Sequence, residues 1–174
     1  MKQGTTPLAP VQDFDHLVLT CSDIAATSAW YARYLGMTPT TFTPPPLQNT
    51  PEAGLSFAES RSSCSIAKPS PSHRESSTRH ALIFGNRKLN LHQYGREHSP
   101  RAAQPLPGTV DVCFLLAPDT DMAAVERGFR DAGIHVLEGG VVRRTGARGE
   151  LKSVYVRDPD GNLIELSQYV NDVE

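Results

Sequence analysis

Two stretches of this chain repeat one order of elements, and that repetition restricts the fold more than any other feature. The openings Phe14-Asp15-His16-Leu17-Val18-Leu19 and Thr109-Val110-Asp111-Val112-Cys113-Phe114-Leu115 read as strands rich in apolar and β-branched residues. Each precedes a helical pattern and, later, a closing strand: Lys88-Leu89-Asn90-Leu91-His92-Gln93-Tyr94 in the first case, Asn162-Leu163-Ile164-Glu165-Leu166-Ser167-Gln168-Tyr169 in the second. Both halves therefore read strand, helix, strand, strand, strand. Such a repeat predicts one α+β domain over residues 13–170, built from modules 13–94 and 109–170.

In the first module the strand at 13–20 places His16, Val18 and Thr20 on one face and Leu17 and Leu19 on the other. Ser22 or Asp23 can cap the next helix, whose apolar positions recur every three to four residues from Ile24 to Leu35 and stop at Gly36. A strand at 37–42 follows. Between residues 44 and 77 the pattern fails: six prolines and nine serines crowd a stretch with few apolar residues, which predicts a flexible insertion. Order resumes in a hairpin, 79–84 and 88–94, turned by Gly85-Asn86. Residues 95–108 then read as a linker. In the second module Asp119 is the expected cap of a helix carrying Met122, Val125 and Phe129, and strands are expected at 134–143 and 151–157 around a flexible basic loop, 144–149. Asp158-Pro159-Asp160-Gly161-Asn162 is a strong turn before the last strand.

A chain of 174 residues suits one compact domain, and a net charge of −2 with the two signs mixed gives no footprint for nucleic acid or an anionic membrane. Cys21, Cys64 and Cys113 are odd in number and widely spaced, which fits reduced thiols. The first residues lack the apolar core of a secretion signal, and no stretch approaches the roughly 20 apolar residues of a membrane span. A cytoplasmic location is the expectation.

Polar residues interrupt the apolar strands at four related places: His16 and Asp111 in the openings, His92 and Glu165 in the closings. Burying such groups is costly unless they are hydrogen-bonded, paired or bound to a ligand. Imidazole and carboxylate donors can jointly hold a divalent transition metal, but no local spacing demands it, and a strand histidine can equally be a packed, hydrogen-bonded core residue. Asp111 can ligate, orient a neighbour or accept a proton. Tyr94, Arg96 and His98 can border a pocket or sit in a solvent-facing loop.

The run 14–20 with Ser22-Asp23-Ile24, the helix end Tyr31-Ala32-Arg33-Tyr34-Leu35-Gly36-Met37, the segment Lys88 to His92 and the ending Val156 to Glu165 together resemble the vicinal oxygen chelate superfamily, which includes glyoxalase I, fosfomycin-resistance proteins, bleomycin-binding proteins and extradiol dioxygenases. The resemblance implies two βαβββ modules whose curved mixed sheets enclose one pocket. It also implies one divalent metal (Fe, Mn, Ni or Zn) held by His16, His92 and Glu165. Asp111 stands where a histidine is common and becomes a fourth ligand or the catalytic base. The implied function is metal-dependent, glyoxalase-like chemistry of the lyase, isomerase or dioxygenase type on a small oxygenated substrate. The rival is a non-enzymatic small-molecule binding protein. A homodimer is implied as well.

Overall fold

The computed structural model of the chain describes residues 7–43 and 78–170, so the insertion expected at 44–77, and Cys64 in it, lie outside the described residues. The first module supplies β1 (His16–Cys21), α1 (Ile24–Leu35), β2 (Thr38–Phe42), β3 (Arg79–Phe84) and β4 (Arg87–Gln93). The second supplies β5 (Asp111–Leu115), α2 (Met122–Asp131), β6 (Val142–Thr145), β7 (Glu150–Arg157) and β8 (Leu163–Tyr169). Each set forms a four-stranded mixed sheet, in the orders β1-β4-β3-β2 and β5-β8-β7-β6. The opening strand runs parallel to the closing one, β1 with β4 and β5 with β8, and the other neighbours are antiparallel. A parallel pair needs a long crossover, and the helix with its two following strands provides it.

Local chemistry sets most boundaries. Asp23, rather than Ser22, caps α1 by accepting hydrogen bonds from the Ala25 and Ala26 amides at 2.8 and 3.1 Å, and Gly36 ends it in the left-handed conformation, φ 66°. Three expectations fail in the second module. Asp121, not Asp119, caps α2, accepting from Ala123 and Ala124 at 3.0 and 3.1 Å. The helix starts at Met122, and a short carboxylate reaches only the amides two and three residues ahead. The strand expected over 134–143 is instead a 3₁₀ turn at Leu137–Gly139 followed by β6 from Val142. The backbone is broken there by positive φ at Glu138, Gly139 and Gly140, which no strand accommodates. Arg144 and Thr145, expected in a loop, pair with Leu151 and Glu150 as the end of β6. The first strand begins at His16, three residues later than its pattern suggested.

Alternation gives each sheet an apolar back and a mixed front. The backs carry Leu19, Leu82, Leu89 and Leu91 from one module and Val154, Val156, Ile164 and Leu166 from the other, each at most 2% exposed, in one core cluster with Tyr31 and Phe129. Trp30 of α1 stacks on Phe129 of α2 with ring centroids 6.4 Å apart, and Phe84 meets Phe114 edge to face at 5.4 Å. The two modules thus share one core.

The turn at 158–162 joins them by polar contacts. Asp158, 6% exposed, accepts from the buried Tyr31 hydroxyl at 3.0 Å, from the Asn162 side-chain amide at 2.8 Å, and from the backbone amides of Asp160 and Asn162 at 3.0 and 2.9 Å. Asp160 accepts from the Ser22 amide at 2.9 Å and the Thr27 hydroxyl at 3.1 Å. Burial, with the Asp158 charge beside it, pushes the Tyr31 phenol well above its ordinary range, so it stays a donor. Gly108 lies against this turn: a Cβ there would stand 2.6 Å from the Asp160 carbonyl oxygen. Among the described residues no helix is long and apolar enough to cross a membrane.

Removing the Asp158 carboxylate strands several buried donors, whereas removing the Tyr31 hydroxyl takes away one bond. Asp158→Ala is expected to cost about 3 kcal/mol, lowering Tm by roughly 6–12 °C, and Tyr31→Phe about 1 kcal/mol. Thermal unfolding followed by circular dichroism checks both, and equal small losses would show that the turn does not couple the modules.

Candidate functional site

The register of the parallel pairs fixes which polar residues share a face. On the front of the first sheet His16, Val18 and Thr20 stand beside Lys88, Asn90 and His92, respectively. On the front of the second sheet Asp111, Cys113 and Leu115 stand beside Leu163, Glu165 and Ser167, with Tyr155 and Ser153 of β7 next along. His16 and Asp111 are the opening residues of their strands, so they are equivalent. Counting two residues on from their partners, the position matching Glu165 is Asn90, and His92 matches Ser167. Sequence reasoning paired His92 with Glu165 and missed Asn90. The signal was present: Asn90-Leu91-His92-Gln93-Tyr94 and Glu165-Leu166-Ser167-Gln168-Tyr169 share Leu, Gln and Tyr at the same spacing. Gln93 donates its side-chain amide to the Ser22 carbonyl at 2.7 Å, and Gln168 does the same to the Pro118 carbonyl, so the match extends to the contacts.

The four positions differ in surroundings. His16 is exposed, and its Nδ1 lies 2.7 Å from Asp15 Oδ1. That hydrogen bond, foremost, holds the Asp15 carboxyl below its ordinary range. An Nδ1–H donated to Asp15 leaves Nε2 as the free donor atom for an electrophile. Asn90 is half-buried, and its Oδ1 is a buried acceptor with no hydrogen-bond partner among the described residues. Asp111 is exposed at the edge of its sheet. Glu165 is half-buried and accepts, on Oε1, hydrogen bonds from the Ser153 hydroxyl at 2.6 Å and the Ser167 hydroxyl at 3.0 Å. Tyr155 also reaches this carboxylate, and burial followed by that contact raises its phenol above the usual value. Arg144 covers the Tyr155 ring at 5.3 Å and donates to Glu138 at 3.0 Å.

His92 is 9% exposed and meets His98 edge to face, centroids 5.2 Å apart. Burial, then the proximity of His98 and Arg79, lowers its pKa against the opposing pull of Glu97, so its ring is neutral at pH 7 with an available lone pair. It borders a cavity of about 460 Å³ between the front of β1 and β4 and the linker, walled by Val18, Thr20, Arg101, Leu106 and Val110. Tyr94 borders an adjacent hollow with Glu97 and Arg101, while Arg96 is exposed. His16 and Asp111 border a second cavity, of about 750 Å³, at the free edges of β1 and β5. Glu165 lines neither.

Among the described residues of one chain, no three His, Cys, Asp or Glu side chains converge closely enough to hold a metal ion. One chain therefore brings His16 and Asp111 to a common cavity and leaves His92 and Glu165 apart from them. In kind the donors fit a divalent cation: a histidine whose Nε2 is not used by the Asp15 contact, an amide oxygen without a partner among the described residues, and two carboxylates.

The chain matches the family described as Glyoxalase/Bleomycin resistance protein/Dioxygenase superfamily over residues 13–166. It is 41% identical to virulence protein STM3117 of Salmonella typhimurium over 160 residues, covering 92% of this chain and 86% of that protein. It is 38% identical to the glyoxalase domain-containing protein RDO1 of Mycosarcoma maydis, covering 91% of this chain and 69% of that one. The crystal structure of STM3117 superposes with a TM-score of 0.70 at 40% identity, covering 93% of this chain and all of that one. A lactoylglutathione lyase from Agrobacterium tumefaciens, 19% identical, shares the fold with a TM-score of 0.54 over 92% of this chain and 96% of that one.

The lowered His92 pKa gives a pH prediction. The unfolded chain, with histidine near its ordinary 6.5, binds the proton more readily than the folded one, so stability rises with pH through this region. The contribution is complete above about 6.5 and is lost as pH falls through that value toward the folded pKa. Melting curves from pH 5 to 8 are expected to flatten in His92→Gln relative to wild type. An unchanged slope would show that His92 titrates normally.

Proposed function

Because this chain belongs to the glyoxalase/bleomycin resistance protein/dioxygenase superfamily, we propose that it is a metal-dependent, glyoxalase-like enzyme acting on a small oxygenated substrate by lyase, isomerase or dioxygenase chemistry. The observation that carries the reading is the register match that sets His16 with Asn90, and Asp111 with Glu165, at equivalent places on two open sheet faces. Polar donors repeated by the fold's own pseudo-symmetry are what a shared cation between two modules requires. Since one chain does not gather them, the site is read as completed by a second copy, the front of the first sheet opposing the partner's second sheet. Apolar residues left open on these fronts support that homodimer: Val18, Phe42, Ile83 and Leu115 are 37–53% exposed.

In this reading His16 and Glu165 ligate the metal. His92 is the third ligand expected from the sequence, and Asn90 competes with it through its unpartnered Oδ1. Asp111, exposed at the start of β5, takes the substrate proton as a general base. A bound divalent ion would supply Lewis-acid stabilisation of adjacent substrate oxygens. The cavity walled by Val18, Leu106 and Val110 offers the substrate's apolar part a dry surface beside the neutral His92.

Purified protein is expected to carry close to one Fe, Mn, Ni or Zn ion per chain by elemental analysis, and to run as a dimer in light scattering. His16→Ala and Glu165→Ala are expected to strip the metal, and the pair Asn90→Ala and His92→Ala identifies the third donor. Reconstituted wild type that takes up none of these metals would sink the enzyme reading in favour of a non-enzymatic binding protein.

A further inference from the structure

Ser153 and Ser167 are each fully buried on neighbouring strands, on the front face with Glu165 and opposite to Val154, Val156, Ile164 and Leu166. Burying two hydroxyls on that face is unfavourable without partners. Their partner is one atom. Both donate to Glu165 Oε1, at 2.6 and 3.0 Å, and their own oxygens are 2.8 Å apart. Behind them the Cys113 thiol lies 3.3 Å from Ser167 Oγ, to which it can donate, so Ser167 keeps its proton for the carboxylate. A carboxylate oxygen has two in-plane lone pairs, and two hydroxyl donors fill them.

The first module shows that the fold does not impose this arrangement. At the position matching Glu165 it carries Asn90, whose Oδ1 has no partner among the described residues, and at the position matching Ser167 it carries His92. The clamp is a property of the second sheet alone.

We propose that Ser153 and Ser167 are positioning residues that saturate Oε1 of Glu165 and so present its other oxygen, in one fixed orientation, as a single-oxygen donor to a divalent cation. The proposal rests on the metal-site reading above and adds how Glu165 takes part in it. A carboxylate held this way occupies one coordination position rather than two. It leaves another open for substrate or water. Without the hydroxyls Tyr155 still holds Glu165, but the carboxylate can turn to engage the ion through both oxygens.

The test uses the full-length protein loaded with Co(II), whose visible absorption reports coordination number. Removing outer partners of a metal ligand typically weakens binding about 10–100-fold. Ser153→Ala/Ser167→Ala is expected to raise the Co(II) Kd by that order and to change the intensity of the visible bands, with cooperative unfolding retained. Ser167→Thr, which keeps the hydroxyl, is expected to restore both. Unchanged Kd and spectrum in the double variant would overturn the proposal. Metal-free crystals separate this from the reading it rests on: a single Glu165 rotamer in wild type that is displaced in the double variant supports the clamp even if no metal binds. A carboxylate that stays put without the hydroxyls refutes it.

Discussion

The buried Asp158 carboxylate organises more of this structure than any other single group. It holds the Tyr31 hydroxyl of α1 on one oxygen and the backbone of its own turn on the other. Asn162, fixed by Asp158, passes the constraint on by accepting from the Val110 amide at 3.0 Å, and Val110 in turn accepts from the Leu163 amide at 2.9 Å. Those two bonds set the start of β5 against β8. They therefore set the register that puts Asp111 and Glu165 on one face. The position of the candidate site follows from a turn that takes no part in its chemistry.

The polarity of the sheets follows a simple division. Backs are closed by α1, α2 and each other, and hold the apolar residues that a chain of this size needs to bury. Fronts hold the groups that cost energy to bury: the Asn90 amide and the His92 ring, and the Glu165 carboxylate, which two serine hydroxyls already partner. Their apolar neighbours remain partly open, so the same surfaces offer both a hydrophobic drive for association and unsatisfied donors for a ligand. A site shared between copies would use both at once.

Much of the fold was legible because it depends on short-range rules. Asp23 before an apolar helix, Gly36 after it, Gly85-Asn86 in a hairpin and the turn at 158–162 all act within a few residues of themselves. Asp119 misled because two acidic residues in one turn are both good caps, and which one serves depends on where the first helical amides fall. The strand expected at 134–143 misled because its apolar residues suit a strand while Glu138, Gly139 and Gly140 take a backbone that ends one. His92 was matched to Glu165 because both are polar within apolar runs. The pairing Cys113 with Glu165 and Thr20 with His92 shows that they are two residues out of step.

By itself the sequence determined the repeat, the order of the elements, the apolar backs and the residue types available for chemistry, since periodicity and caps are properties of neighbours along the chain. Only the tertiary structure decided which polar residues share a face, that two buried serines meet the Glu165 carboxylate, and that one chain keeps His92 and Glu165 apart from the cavity holding His16 and Asp111. Those outcomes depend on strand register and module packing. The contacts that hold the modules in place reach up to 138 positions apart, and even the serine clamp joins residues of two strands 12 positions apart, which no local pattern encodes.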